Sequence, residues 1–224
     1  MSTATAYAAR MSFRPVTAAA PFVFIVDDDF SMREAIEQLV RAAGWCPEAF
    51  GTAEEFLRQP RPKGPSCLIL DVGLPDLNGL EVQKRIASRC AEMPIIFITG
   101  RGDVGTTVQA MKAGAVEFLT KPFSAQALLE AIRGAVERSK ALLDEQRTLM
   151  SLRDRYESLS PREREVMGLV VQGYLNKQVA GAVGISEITV KGHRGRMMRK
   201  MRIKSLPGLV IAGIRLGLKS EDAR

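Results

Sequence analysis

Cys67-Leu68-Ile69-Leu70-Asp71-Val72-Gly73-Leu74-Pro75-Asp76-Leu77-Asn78-Gly79 is the stretch that decides the fold. Four apolar residues stop at a carboxylate and give way to turn-forming residues. A short apolar run bounded by turn signals suits a strand buried on both faces. An earlier run, Phe22 to Val26, ends the same way in Asp27-Asp28-Asp29. In an open parallel α/β sheet, ligands bind beyond the C-terminal ends of the strands. Carboxylates clustered there are costly unless a cation joins them. The pattern points to Mg²⁺ held beside one reactive aspartate.

Working outward, strand-like runs alternate with helical patterns. Phe22–Asp27 reads as a strand and Ser31–Ala43 as a helix, with Ser31 as N-cap, Glu34 three residues on and Gly44 as the stop. Trp45–Phe50 is a weaker strand; Pro47 places it at an edge. Thr52 caps a short helix ending near Gln59, and residues 60–65 form a loop. Ser66–Asp71 is the third strand, followed by a helix over Gly79–Cys90. Pro94–Thr99 and Ala115–Leu119 are the fourth and fifth strands, with a helix over Asp103–Ala113 between them. This (βα)₅ alternation predicts an α/β fold: a doubly wound parallel sheet with helices on both faces.

From Ser124 the sequence stays helical to about Glu157, roughly 50 Å of helix. Apolar pairs recur every seven residues: Leu128/Leu129, Ala135/Val136, Leu142/Leu143 and Leu149/Met150. That period suits a supercoil with a partner helix. Ser139, Gln146 and Arg153 make the seam narrow, so a dimerising linker and a solvated connector both stay open. Ser160-Pro161-Arg162-Glu163 then reads as an N-cap, a first-turn proline and a capping-box glutamate. Helical patterns at 161–172, 176–183, 186–201 and 205–217 predict a small four-helix domain.

Charge divides along the same line. Residues 1–150 carry 17 Lys and Arg against 18 Asp and Glu; residues 151–224 carry 15 against 7. A near-neutral half followed by a basic half suggests a control domain joined to a polyanion binder. Cys46, Cys67 and Cys90 are isolated, which fits buried thiols in a reducing cytoplasm. His193 is the single histidine, which argues against His-based zinc sites and a Ser-His-Asp triad. No run reaches the roughly 18 apolar residues of a membrane span. Residues 1–20 are expected to be a disordered extension, with Met11 an alternative start.

Five separated signals over residues 22–123 resemble a response-regulator receiver domain: Asp27-Asp28, Asp71, Thr99, Lys121-Pro122, and Leu74-Pro75 with Gly79. The resemblance implies a flavodoxin-like sheet of order 2-1-3-4-5 and a cis bond before Pro122. It makes Asp71 the phosphoacceptor. It assigns Mg²⁺ (or Mn²⁺) to Asp28, Asp71 and the Gly73 backbone carbonyl, with Asp27 acting through water. Lys121 and Thr99 would meet phosphoryl oxygens, and Phe118 matches an aromatic switch position. Each residue alone has a plainer role: a helix-start acid, a turn, a strand-end hydroxyl, a solvated lysine, a core aromatic. Gly73 departs from the larger side chain common at that position.

Residues 159–219 resemble the LuxR-type DNA-binding domain of NarL/FixJ-family regulators, leaning to the FixJ-like branch. The carriers are Leu159 to Val166, Gly173 to Ala180, Gly184-Ile185-Ser186 and Thr189 to Arg194. The recognition helix would be Ser186–Met201, with Ile188, Val190, Met197 and Met201 packing inward. Lys191 would lie nearest the base edges, with Thr189, His193 and Asn176 or Lys177 near phosphates. Arg194, Arg196, Arg199 and Lys200 remain available to DNA.

The expected organisation is an extension (1–20), a receiver (21–123), a linker helix (124–157), a helix-turn-helix domain (158–219) and a tail (220–224). The expected protein is a cytoplasmic, phosphorylation-dependent transcription regulator rather than an enzyme. A sensor histidine kinase would be its upstream partner. Promoter DNA, RNA polymerase and a second copy of the chain would be its other partners. Two alternatives remain: a phosphatase of the haloacid-dehalogenase type, suggested by D-x-D at Asp27–Asp29, and a DNA-binding protein with a vestigial receiver.

Overall fold

The computed structural model describes residues 20–60, 64–87, 90, 92–100 and 104–218, with backbone alone at 104–106. All but the last residue of the expected N-terminal extension lies outside the described residues, as do the alternative start at Met11 and the tail. The chain divides into two compact units, Met1–Lys140 and Ala141–Arg224.

The first unit alternates β1 (Phe22–Val26), α1 (Phe30–Ala42), β2 (Cys46–Phe50), α2 (Ala53–Arg58), β3 (Ser66–Asp71), α3 (Gly79–Ala87), β4 (Ile95–Thr99), α4 (Val104–Lys112) and β5 (Glu117–Thr120). All strand pairs are parallel, in the order β2-β1-β3-β4-β5. The period-2 rule then builds two cores. Phe24, Val26, Leu68, Leu70 and Phe97 face Val82 and Ile86 of α3. Val23, Ile25, Ile69, Ile96 and Ile98 face Ile36 and Val40 of α1 and Leu128 and Ile132 further along the chain. Burial on both faces explains why β3 and β4 read as unbroken apolar runs. Pro47 sits on edge strand β2, where Cys46 N–H donates to the Pro21 carbonyl of the neighbouring chain segment. The next residue along therefore points outward, and its missing N–H costs the ladder nothing.

Several expected boundaries shift. Helix α1 starts at Phe30, and its N-cap is Asp29, whose carboxylate accepts from Ser31 N–H at 2.8 Å and Met32 N–H at 3.2 Å. Ser31 is therefore not the cap. The aspartate ahead of it already satisfies the first free N–H groups and meets the helix dipole. Strand β5 begins at Glu117 rather than Ala115, because Gly114 (φ 94°) turns the chain and Ala115 N–H still donates to Ala110 of α4. Cys67 and Cys90 are buried, but Cys46 is only half-buried.

Helix α5 (Ala125–Glu157) runs 33 residues. The first half of its seven-residue period belongs to the core of the first unit, not to a supercoil: Leu128, Ile132 and Ala135 are fully buried there. Ser139, a polar break in the seam by sequence, is itself fully buried. Its hydroxyl donates to the Glu92 carbonyl at 2.7 Å and accepts from Ser66 N–H at 3.0 Å.

The second unit contains α6 (Pro161–Val171), α7 (Asn176–Val183), α8 (Glu187–Met201) and α9 (Leu206–Arg215). Ser160 and Glu163 form the expected capping box, Gly184 closes α7 in the left-handed conformation, and Ser186 caps α8. Val166, Met167, Val179, Val190, Met197 and Leu209 make the core. Ile188 does not join it: the residue is 82% exposed. It falls on the side of α8 away from Val190 and Met197.

Helices α6 and α9 approach closely at Gly213, where an added Cβ would lie 2.6 Å from Val171 Cγ1. Gly213→Ala should therefore destabilise the second unit by about 1–3 kcal/mol through overpacking, against a helix-propensity gain of about 1 kcal/mol. Urea unfolding of the full chain, compared with wild type, measures the difference.

Candidate functional site

Strands β1 and β3 are neighbours in register, Val26 opposite Leu70, so the residues that follow, Asp27 and Asp71, emerge side by side. One carboxylate oxygen from each of Asp27, Asp28 and Asp71 lies within 4.8 Å of the others. Asp27 is fully buried, Asp71 nearly so, and Asp28 is exposed. Lys121, one residue beyond β5, reaches back into this cluster. Its Nζ donates to Asp27 Oδ2 and Asp71 Oδ2, both at 2.6 Å. The backbone holds the remaining oxygens: Asp29 N–H donates to Asp27 Oδ1 at 2.9 Å and Gly73 N–H to Asp71 Oδ1 at 2.8 Å.

The electrostatics follow from this crowding. Burial pushes the Asp27 carboxyl above its usual value; the Lys121 ammonium and Asp29 N–H oppose the shift, and Asp71 adds to it. Burial alone would lower the Lys121 pKa, but its bonds to Asp27 and Asp71 reverse the sign and hold it raised. Lys121 is thus a firmly charged ammonium between two carboxylates.

The chain around Lys121 is tightly fixed. Its N–H donates to the Thr99 carbonyl at 2.7 Å, and the Lys121–Pro122 bond is cis. Thr99 itself is buried at the end of β4. Behind Asp71, an added Cβ at Gly79 would lie 2.9 Å from the Asp71 carbonyl and 3.1 Å from Phe97. Only glycine lets α3 start this close to the aspartate. Phe118 is not in the acidic pocket; it packs half-buried against Phe97, ring centroids 6.3 Å apart. Sequence reading misses Arg33, whose Nη1 donates to the Asp27 backbone carbonyl. An arginine in the first turn of α1 carries no sequence signal for that contact.

The second unit places the cations of α8 in two groups. Lys191 is exposed, 3.5 Å from Glu187 one turn earlier. Lys177 and Thr189 are also exposed, and Thr189 shares a 2.8 Å bond with Ser186. Arg194 Nη1 donates to Asn176 Oδ1 at 2.9 Å, tying the start of α7 to α8. Arg196 lies between His193 Nδ1 (3.0 Å) and Glu163 (3.5 Å). Lys200, expected to be available to DNA, is turned back: its Nζ reaches Glu163 at 2.6 Å and the Ser158 carbonyl at 3.2 Å. By sequence Glu163 has a capping role only. Its buried carboxylate is also the anchor of α8.

Residues 23–133 match the response regulator receiver domain, and residues 157–212 match the LuxR family of bacterial regulatory proteins. This chain is a two-component response regulator of the NarL/FixJ family. It is 49% identical over 198 residues to Nodulation protein W of Bradyrhizobium diazoefficiens, covering 88% of this chain and 87% of that one. It is 43% identical to the response regulator TodT of Pseudomonas putida, covering 91% and 90% of the two chains. The solved structure of the response regulator StyR aligns at a TM-score of 0.76 with 43% identity, over 88% of this chain and all of that one. The response regulator is accordingly a DNA-binding transcription regulator with a receiver at its N-terminal end. The haloacid-dehalogenase alternative is set aside by these matches and by the chain after Lys121, which enters α5 rather than a strand bearing a further acidic pair.

Burial pushes the Glu163 carboxyl up, but Lys200 and the Ser160 N–H outweigh it and hold the group below the usual glutamate value. A lowered carboxyl contributes stability that is complete above the usual glutamate pKa and is lost as pH falls through the lowered value. Glu163→Gln should therefore weaken the second unit at neutral pH and flatten its acid-induced loss of stability. Urea unfolding at a series of pH values from 7 downward checks both.

Proposed function

We infer that Asp71 accepts the phosphoryl group and that the basic domain delivers the signal to promoter DNA. The observation that carries this reading is the Lys121 ammonium bridging Asp27 and Asp71 at 2.6 Å. A carboxylate beside a fixed cation, at the C-terminal end of a parallel sheet, is equipped to receive a phosphoryl group there. An oxygen of Asp71 attacks the phosphorus of a phosphohistidine on a sensor kinase. The P–N bond breaks, and the imidazole leaves with its electron pair. Lys121 follows one phosphoryl oxygen as a point charge, and the Thr99 hydroxyl donates to another.

The three clustered carboxylates also fit a divalent cation, Mg²⁺ or Mn²⁺, through Asp28, Asp71 and the Gly73 carbonyl, with Asp27 acting through water. When bound, that ion supplies charge neutralisation on the equatorial oxygens. Movement of Thr99 toward the phosphoryl group leaves room for Phe118, shifting a two-state equilibrium on the α4–β5 face. The phosphorylated chain dimerises and presents Lys191 to base edges, with Thr189, His193 and Asn176 or Lys177 near phosphates and Arg194 and Arg196 also facing DNA. RNA polymerase recruitment, and so activation, follows in the cytoplasm. The only bond chemistry is the chain's own phosphorylation and hydrolysis.

Asp71→Ala should abolish phosphate incorporation from a small phosphodonor with Mg²⁺; incorporation at the wild-type level rejects the assignment. A second expectation concerns lifetime. Among the described residues an added Cβ at Gly73 would meet only Asp71 Oδ1, at the ordinary contact distance of 3.6 Å, so the backbone there accepts a side chain. Gly73→Arg should shield the acyl phosphate from water and lengthen its half-life, as followed by phosphate release after donor removal.

A further inference from the structure

Ile188 is the most exposed large apolar side chain among the described residues, at 82%. It stands in the first turn of α8, directly after Ser186 and Glu187. Successive helical residues are rotated by about 100°. Val190, Met197 and Met201 form the buried stripe of α8, and Ile188 lies nearly opposite it. Gly192, Gly195 and Arg199 follow Ile188 along the same outer line, at spacings of four, seven and eleven.

Neither glycine is required by contacts among the described residues. An added Cβ at Gly195 would meet nothing within 4 Å, and one at Gly192 only the Arg196 guanidinium at 3.7 Å. Both give up helix propensity relative to alanine. What they create is a smooth outer strip that lets the helix backbone come close to an opposing surface, with one apolar side chain at its leading end. The same domain carries the chain's positive charge, so the opposing surface is a polyanion. In the major groove the one apolar feature on a base edge is the thymine 5-methyl group, and the first turns of a recognition helix are the part that meets base edges.

We propose that Ile188 reads a thymine methyl at a set position in each half-site, making it a specificity-determining residue beside Lys191. This rests on the DNA-binding reading of the second unit. Thymine is distinguished there from cytosine, which has no methyl group and offers an amino group that Ile188 cannot bond.

The test uses the full-length chain treated with phosphodonor and Mg²⁺. Duplexes enriched by wild type from a random pool are remade with single thymines replaced by deoxyuridine, which deletes only the methyl group. One thymine per half-site should then cost wild type about fourfold in affinity, the worth of one buried methyl. Ile188→Ala should lose that sensitivity while melting like wild type, and Ile188→Val should keep it. Tolerance of uracil at every position by wild type overturns the proposal, as does equal sensitivity in Ile188→Ala. Failure of wild type to enrich any sequence contradicts the DNA-binding reading itself and this proposal with it.

Discussion

The contact of Lys121 Nζ with Asp27 and Asp71, 2.6 Å to each, is the interaction around which the first unit is arranged. Two carboxylates buried side by side repel each other and lose hydration. A fixed cation must compensate them. The sheet order delivers the partners: β1 and β3 adjoin, and the chain leaves β5 to carry Lys121 back across β4. Backbone donors at Asp29 and Gly73 take the oxygens that Lys121 does not. The arrangement is satisfied at rest, and under the proposed function each partner is one that an incoming phosphoryl group or cation would engage. Storage of charge and readiness for chemistry are thus the same set of bonds.

The second unit solves a related problem in the opposite sense. A helix rich in arginine and lysine must be held in place without spending all its charge on the protein. Glu163 does this from beneath, pairing with Lys200 and lying near Arg196, while its own carboxylate also closes the capping box of α6. One buried acid therefore fixes two helices. Among the described residues Lys191 has an exposed contact with Glu187, which is worth little in water, and its side chain stays open to solvent.

Much of this is legible in the sequence because it rests on local patterns. Doubly buried strands announce themselves as apolar runs, and the terminal aspartates, Pro47 at the edge and the Ser160 capping box are all short-range signals. Other features depend on distance in the chain. Asp29 displaces Ser31 as a cap because its carboxylate takes the N–H groups of Ser31 and Met32, so the helix has begun at Phe30 and Ser31 already lies inside its first turn. Ser139 looks like a polar interruption of a heptad seam. It is a buried stitch to Ser66 and Glu92, far away in sequence. Ile188 reads as core because it is apolar, but helical phase puts it opposite Val190. The contact of Arg33 with the Asp27 carbonyl and those of Glu163 with Lys200 and Arg196 leave no sequence hint, since they are set by packing between elements.

The most direct measurement is the site of the covalent signal. Full-length protein charged by a small phosphodonor with Mg²⁺, trapped by reduction of the acyl phosphate and mapped peptide by peptide, should show the modification at Asp71 alone. Modification at Asp27, Asp28 or any residue outside the acidic cluster, with Asp71 untouched, would contradict the account.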